Sequence, residues 1–531
     1  MLASNLSEAE TAATENTAVA SHNPHDTEFP HGVDTTFPLY TTDTNRAGFT
    51  DEYTIETRDG FKRKKSIVNE KVQEDLLVTW RIDDPENPQN WSKRYRFIHT
   101  AVVASLVVCV AFGSSCVTGD LSGVADTFNV SMEVSILQTS LMVCGFGVGP
   151  LLWSPLSELY GRRPIYTIAF GVYTIFNIPC ALAQNIGTIL AFRFLGGVFA
   201  SAPLTLAGGS ISDIFAASER GNAIAWFAAA PYGGPVIGAL VSGFIGMGAG
   251  WRWIYWVNLI FAGVMWIMVS LLPETYAPVL LARRAAKLRK ETGNQAYLTE
   301  QERFRASFMQ TVKVTMVRPF TMLLSEPILV LMSLYVALIY GLLYAFFFAY
   351  PVVFSELYGF NDGQIGLTFI GILIGTGLAL VVTPQLEKRY NSLGREPTPE
   401  DRLPGMMFAA PFVPISLFIF AWTSYPWVHW IGPTISGIPF GFGMVLIYYT
   451  ANNYLIDTFI TYCASALAAK TVVRSGLGAA FPLFITQMYH RLGFQWASTL
   501  LAFISLAMVP IPFAFYRYGA AVRARSKTAS Q

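Results

Sequence analysis

Apolar residues in this chain gather into long blocks and do not alternate with polar ones. The blocks fall near 97–117, 134–153, 165–183, 189–211, 223–246 and 252–272, and again near 327–350, 364–384, 405–423, 428–455, 462–486 and 494–516. Each approaches the ~20 residues that carry an α-helix across a bilayer. Membrane strands need only ~10 residues of alternating character, so the blocks predict helices. The tenth and eleventh are the least uniform, interrupted by Asn452, Asn453 and Asp457 in one and by Lys470 and Arg474 in the other. Lys470 and Arg474 are one helical turn apart. The simplest placement starts block eleven after them and leaves both facing water.

Charge orders the blocks. Lys93, Arg94 and Arg96 precede the first; Arg162 and Arg163 follow the second, Arg220 the fourth, and Lys388 and Arg389 the eighth. The loops between are nearly free of cations, apart from Arg252 and Arg491. This alternation is the positive-inside pattern for twelve spans with both termini cytoplasmic. The expected organisation is a disordered cytoplasmic N-terminal tail (1–92), a six-helix bundle (93–272), a cytoplasmic linker (273–326), a second six-helix bundle (327–516) and a cytoplasmic C-terminal tail (517–531). The tail assignment at 1–92 rests on its Ser, Thr, Asp, Glu and Asn content and on its lack of an apolar core of signal-peptide length. The linker contains RRAAKLRK and further cations including Arg303 and Arg305, which reads as a basic helix at the inner leaflet or a solvated linker helix.

Composition agrees: 53% of residues are hydrophobic and 13% charged, against about 25% charged in soluble proteins. The net charge of +1 gives no field for nucleic acid. Cys109, Cys116, Cys144, Cys180 and Cys463 lie in or beside apolar blocks and show no metal or disulfide spacing. No HExxH or GxSxG signature lies at bilayer depth, so the expectation is no enzyme, no metal and no cofactor. Asn129-Val130-Ser131 has the glycosylation pattern, too near the membrane to carry weight.

Motifs sharpen the fold class. After block two the chain reads SPLSELYGRRP, placing Glu158, Gly161, Arg162 and Arg163 at a membrane edge. Block four holds an intramembrane Arg193, and a charge inside a span normally faces a cavity or a partner. Block five holds Gly234-Pro235-Val236-Ile237-Gly238, small residues that permit close helix approach around a Pro bend. DPENPQNWSK, WRWIYWVNLIFAG, LPETYAPVLL, PEDRLPG and ASALAAKTVVRSGLGAAFPLF follow in register. Together these stretches resemble the major facilitator superfamily, specifically its fungal twelve-span drug:proton antiporter family of multidrug, polyamine and toxin exporters. The resemblance implies an all-α polytopic membrane protein with the major facilitator fold, two six-helix bundles and alternating access driven by the proton gradient. It also marks Gly234, Pro235 and Gly238 as the antiporter motif.

Candidate residues follow. Glu158, Arg162 and Asp213 end the first half's spans, with Glu387 and Asp457 as counterparts in the second, a candidate cytoplasmic gate with Gly161 and Arg163. Asp120 with Arg193 is the candidate for proton coupling, because deep acids are scarce. Gln138, Tyr232, Tyr340, Tyr344 and Asn452 are candidates for a substrate cavity, pointing to a neutral or weakly charged, fairly apolar molecule. The expected activity is export by a monomer at the plasma membrane, or at an internal, vacuolar one. The competing readings are a proton-coupled importer of a nutrient or polyamine, and a non-transporting receptor or sensor on the same scaffold. The pentapeptide SELYG recurs at Ser157 and Ser355, but the topology puts the copies on opposite sides, so the better partner of Glu158 is Glu387.

Overall fold

The computed structural model describes residues 53–56, 61–68, 71–215, 223, 227–303, 308–395, 397–526 and 529. Residues 1–52, Arg220, Arg305 and the end of the C-terminal tail lie outside these. The chain forms two units. The smaller, Met1–Ile82 with Ala285–Glu300, carries a sheet of four strands: β1 (Tyr53–Glu56), β2 (Phe61–Val68), β3 (Lys71–Val78) and β4 (Tyr297–Leu298). β1, β2 and β3 pair antiparallel, and β4 adds to β3 in parallel. Strands therefore occupy part of the segment expected to lack structure. β1, β2 and β3 pair with their neighbours in sequence, whereas β4 lies more than two hundred residues beyond β3, a contact that local composition does not announce.

The larger unit, Asp83–Arg284 with Gln301–Gln531, is the membrane body. Among the described residues, eleven helices are long and apolar enough to cross a bilayer. In the first half they are spans one (Lys93–Phe128), two (Met132–Tyr160), three (Arg162–Ala181), four (Ile186–Ile214), five (Ala230–Ala249) and six (Trp251–Ser270). In the second half they are spans seven (Pro327–Tyr358), eight (Asp362–Asn391), nine (Pro399–Thr423), ten (Ile431–Thr458) and twelve (Phe494–Arg523). Between the last two runs a 30-residue helix, Cys463–Leu492, long enough to cross but too polar to qualify on hydropathy. It is span eleven. It begins before Lys470 and Arg474, and both side chains are buried, which corrects the expectation that they face water.

Small residues set the helix spacing. A Cβ on Gly145 of span two would lie 2.6 Å from the Phe194 carbonyl and the Val198 nitrogen of span four, so only hydrogen fits. Spans eight and ten repeat this, a Cβ on Gly437 falling 2.8 Å from the Ile372 nitrogen. Within the Gly234–Gly238 stretch, a Cβ on Gly234 would meet the Val108 carbonyl at 2.7 Å, and one on Gly238 the Phe112 carbonyl at 2.6 Å. The motif thus seats span five on span one, and Ser115 Oγ donates to the Pro235 carbonyl across the seam at 2.6 Å.

The two bundles meet through span two against span eleven and span five against span eight. Across the seam between the bundles Ser114 Oγ and the Tyr344 hydroxyl are 2.7 Å apart. Toward the face opposite the starts of spans one and seven, Gln487 Nε2 donates to Glu133 Oε1 at 3.2 Å and the Gly363 amide approaches Met247 Sδ at 3.0 Å. The two SELYG copies fall at opposite faces, with Glu356 bonded to His490 and far from the motif at Gly161.

Candidate functional site

Two charge clusters occupy the face at which spans one and seven begin. In the first half, span two ends at Tyr160, span three begins at Arg162, and Gly161 alone makes the turn at φ 98°. A left-handed backbone there strains any L side chain. Glu274, from the loop after span six, caps the new helix. Its Oε1 accepts from the Arg162 amide at 2.8 Å and its Oε2 from the Arg163 amide at 3.2 Å. The same carboxylate accepts from the amides of Thr275 and Tyr276. A carboxylate at a helix N-terminus meets orphan N–H groups and the positive end of the dipole. The Arg162 side chain reaches Asp213 Oδ2 at 3.2 Å and Ser157 Oγ at 2.6 Å, with its guanidinium over the Tyr276 ring. Burial pushes the Tyr276 phenol up to about 12. Arg163 donates to the Ser270 carbonyl at 2.9 Å. Glu158 sits at the same end, but Arg162 pairs with Asp213 instead.

Gly161→Val is expected to cost transport and thermal stability together, because it combines strained φ with a Cβ 2.7 Å from the Glu274 carboxyl carbon. Thermal melting of the purified variant against wild type checks it.

In the second half Arg402, at the start of span nine, takes the place of Arg162. Its Nη1 donates to Glu387 Oε2 at 2.7 Å and its Nε to Asp457 Oδ2 at 2.9 Å. The Tyr449 hydroxyl also donates to Glu387, and the guanidinium lies over the Tyr390 ring. The two clusters share an Arg, an Asp and a Tyr ring, but Arg402 bonds both Glu387 and Asp457, whereas Arg162 bonds Asp213 and forms no ion pair with Glu158 among the described residues. Each described cluster is closed within its own bundle.

Arg193 is buried in the first bundle, where its guanidinium donates to three carbonyls: Gln138 at 2.9 Å, Gly113 at 2.7 Å and Ser114 at 3.0 Å. It thereby staples span four to spans one and two. Asp120 caps the Gly123 amide at 2.8 Å, and no ion pair joins it to Arg193 among the described residues. Gln138 belongs to this network as well, its Oε1 accepting from the Tyr255 hydroxyl at 2.7 Å. It does not join the other cavity candidates.

Those others do converge, between the bundles. Tyr232 of span five packs edge-on to Tyr340 of span seven and to Tyr448 of span ten, with centroids 5.9 and 4.8 Å apart. Tyr340 packs at a tilt against Tyr344, centroids 5.0 Å apart. Into this nest span eleven places Arg474, whose guanidinium carbon lies 4.5 Å from the Tyr340 ring centroid, and Lys470, whose Nζ lies 4.8 Å from that of Tyr448. Lys470 donates to Asn452 Oδ1, and Arg474 Nη1 to the Tyr448 hydroxyl at 3.4 Å. Lys470, Arg474 and Tyr448 escaped the sequence reading as cavity residues. The spacing of the two cations at i and i+4 was the available signal.

The Major Facilitator Superfamily profile matches residues 103–482. The chain is 56% identical to the protein named multidrug transporter TPO3 of Candida glabrata, over 84% of this chain and 71% of that one. It is 54% identical to polyamine transporter 3 of Saccharomyces cerevisiae, over 84% and 72%. Among solved structures it resembles the proton:xylose symporter XylE, with a TM-score of 0.58 at 16% identity over 81% of this chain and 96% of that one, a likeness of fold alone. This is a multi-pass membrane transporter and not an enzyme, and it belongs to the major facilitator superfamily, among the fungal drug:proton antiporter relatives that include multidrug and polyamine transporters.

Proposed function

We propose that this protein exports small, fairly apolar organic molecules, such as drugs, toxins or secondary metabolites, in exchange for protons. The observation that carries the reading is the aromatic nest of Tyr232, Tyr340, Tyr344 and Tyr448, built from both bundles at their seam. Such a nest opens to one side or the other as the bundles rock, which is alternating access. The lining is mostly apolar with a few fixed polar groups, as in sites for organic ligands. The relatives named multidrug transporters and the span-five glycine motif support the outward direction.

In this reading the face with the Arg162 and Arg402 clusters is cytoplasmic, the protein works as a monomer in the plasma membrane, and the bonds at Glu133–Gln487 and Gly363–Met247 close the outer side. The clusters around Arg162 and Arg402 keep the cytoplasmic loops of each bundle rigid so that the bundle moves as a body. Expression in a host lacking its own efflux pumps is expected to raise resistance to a chemically coherent set of toxic compounds. A protonophore is expected to remove that resistance. Increased sensitivity to the same set would instead indicate import.

A further inference from the structure

Other cations held wholly or partly inside the membrane body have oxygen partners, the buried Arg96 among them, with the Ile214 carbonyl and the Phe215 ring. Arg162 has Asp213, Arg402 has Glu387 and Asp457, Arg523 has Glu400, and Arg193 has three carbonyls. Lys470 and Arg474 differ. They are 3% and 2% exposed, adjacent on one face of span eleven, and neither forms an ion pair among the described residues. Lys470 has one amide oxygen and a ring face. Arg474 has a single long bond to a phenol and two ring faces, and its Nε donates to nothing. The neighbouring Ser475 hydroxyl is buried without a hydrogen bond as well.

Two unpaired charges a helical turn apart are costly, several kcal/mol per ion after relaxation. Removing either would relieve that cost, so their presence calls for a partner that arrives from outside the chain. We propose that Lys470 and Arg474 bind the carboxylate of an apolar organic anion, with its aromatic or alkyl body against Tyr232, Tyr340 and Tyr448. The free Nε edge of Arg474 supplies part of a guanidinium fork, and Lys470 the second charge. The ring walls favour an organic anion over an inorganic one. The same two charges repel a polyamine at this position. That this anion is a transported substrate rests on the export reading above; that it binds here does not.

The test is equilibrium binding to the purified full chain in lipid nanodiscs, so that no direction of transport enters. Benzoate is the probe, benzamide its neutral isostere, with spermidine and sodium chloride as further arms. Benzoate is expected to bind at least about tenfold more tightly than benzamide, the difference made by charge-assisted hydrogen bonds. Lys470→Met is expected to remove that preference, and Lys470→Arg to retain most of it. Equal binding of benzoate and benzamide would overturn the proposal. So would displacement of benzoate by millimolar spermidine or by physiological chloride, or unchanged preference in Lys470→Met. If Lys470→Met does not yield folded protein, the wild-type comparison and Lys470→Arg still decide. Benzoate binding at this site without any resistance phenotype would sink the export reading alone.

Discussion

Arg162→Glu is expected to reduce transport to below about a tenth of wild type while the protein still reaches the membrane. The substituted carboxylate would face Asp213 in place of a cation 3.2 Å away, beside Glu274, which caps span three from the same loop. Breaking a buried pair costs about 3–5 kcal/mol, because the surviving charge stays desolvated. The pair is only partly buried, its side chains 13% and 16% exposed, so the cost falls at the lower end. The variant therefore disturbs the geometry of the loop before it unfolds the bundle. The exchange Arg162→Asp with Asp213→Arg is expected to recover part of the activity by restoring opposite charges. Arg162→Lys keeps the charge but cannot reach both Ser157 and Asp213 with one planar fork, so an intermediate rate is expected. Efflux from cells with matched surface expression is the measurement. Normal efflux by Arg162→Glu would remove the cluster from the mechanism.

Arg193→Leu is expected to act on the fold first. The substitution leaves the Gly113, Ser114 and Gln138 carbonyls without the donors that join spans one, two and four. Hydrogen bonds to a charged group contribute about 1.5–3 kcal/mol each, less whatever water or local rearrangement restores. The expected result is a thermal midpoint lowered by several degrees, with reduced transport whose pH dependence follows wild type. A well-folded variant that still binds substrate but no longer responds to a proton gradient would assign Arg193 to coupling instead.

The architecture was readable from the chain because a bilayer imposes length and satisfied backbones on every span, and cations mark one side. The acids of the two clusters, Asp213, Glu387 and Asp457, were readable too, because each stands at the end of an apolar block. Their cations were only half visible: Arg162 stood beside the Gly161 turn, whereas Arg402, although within PEDRLPG, has partners, Glu387 and Asp457, that come from two other helices. Glu274 was hidden for the same reason, since its role is to cap a helix that begins over a hundred residues earlier. Lys470 and Arg474 were misplaced by hydropathy, which treats charge as the edge of a span. Here the helix runs on through them, with tyrosine rings and Asn452 as their neighbours. Asp120 and Arg193 shared a depth range along the chain, but depth is one coordinate of three. Arg193 points to carbonyls, while Asp120 caps its own short helix.

The central claim, exchange of an organic substrate for protons, is tested most directly in proteoliposomes carrying the purified protein and an internal pH dye. With an acid lumen and a compound taken from the resistance screen outside, the account predicts uptake of the compound coupled to alkalinisation of the lumen. Both signals are expected to vanish with a protonophore and in Arg162→Glu. Uptake that acidifies the lumen, or that proceeds unchanged without a gradient, would contradict it.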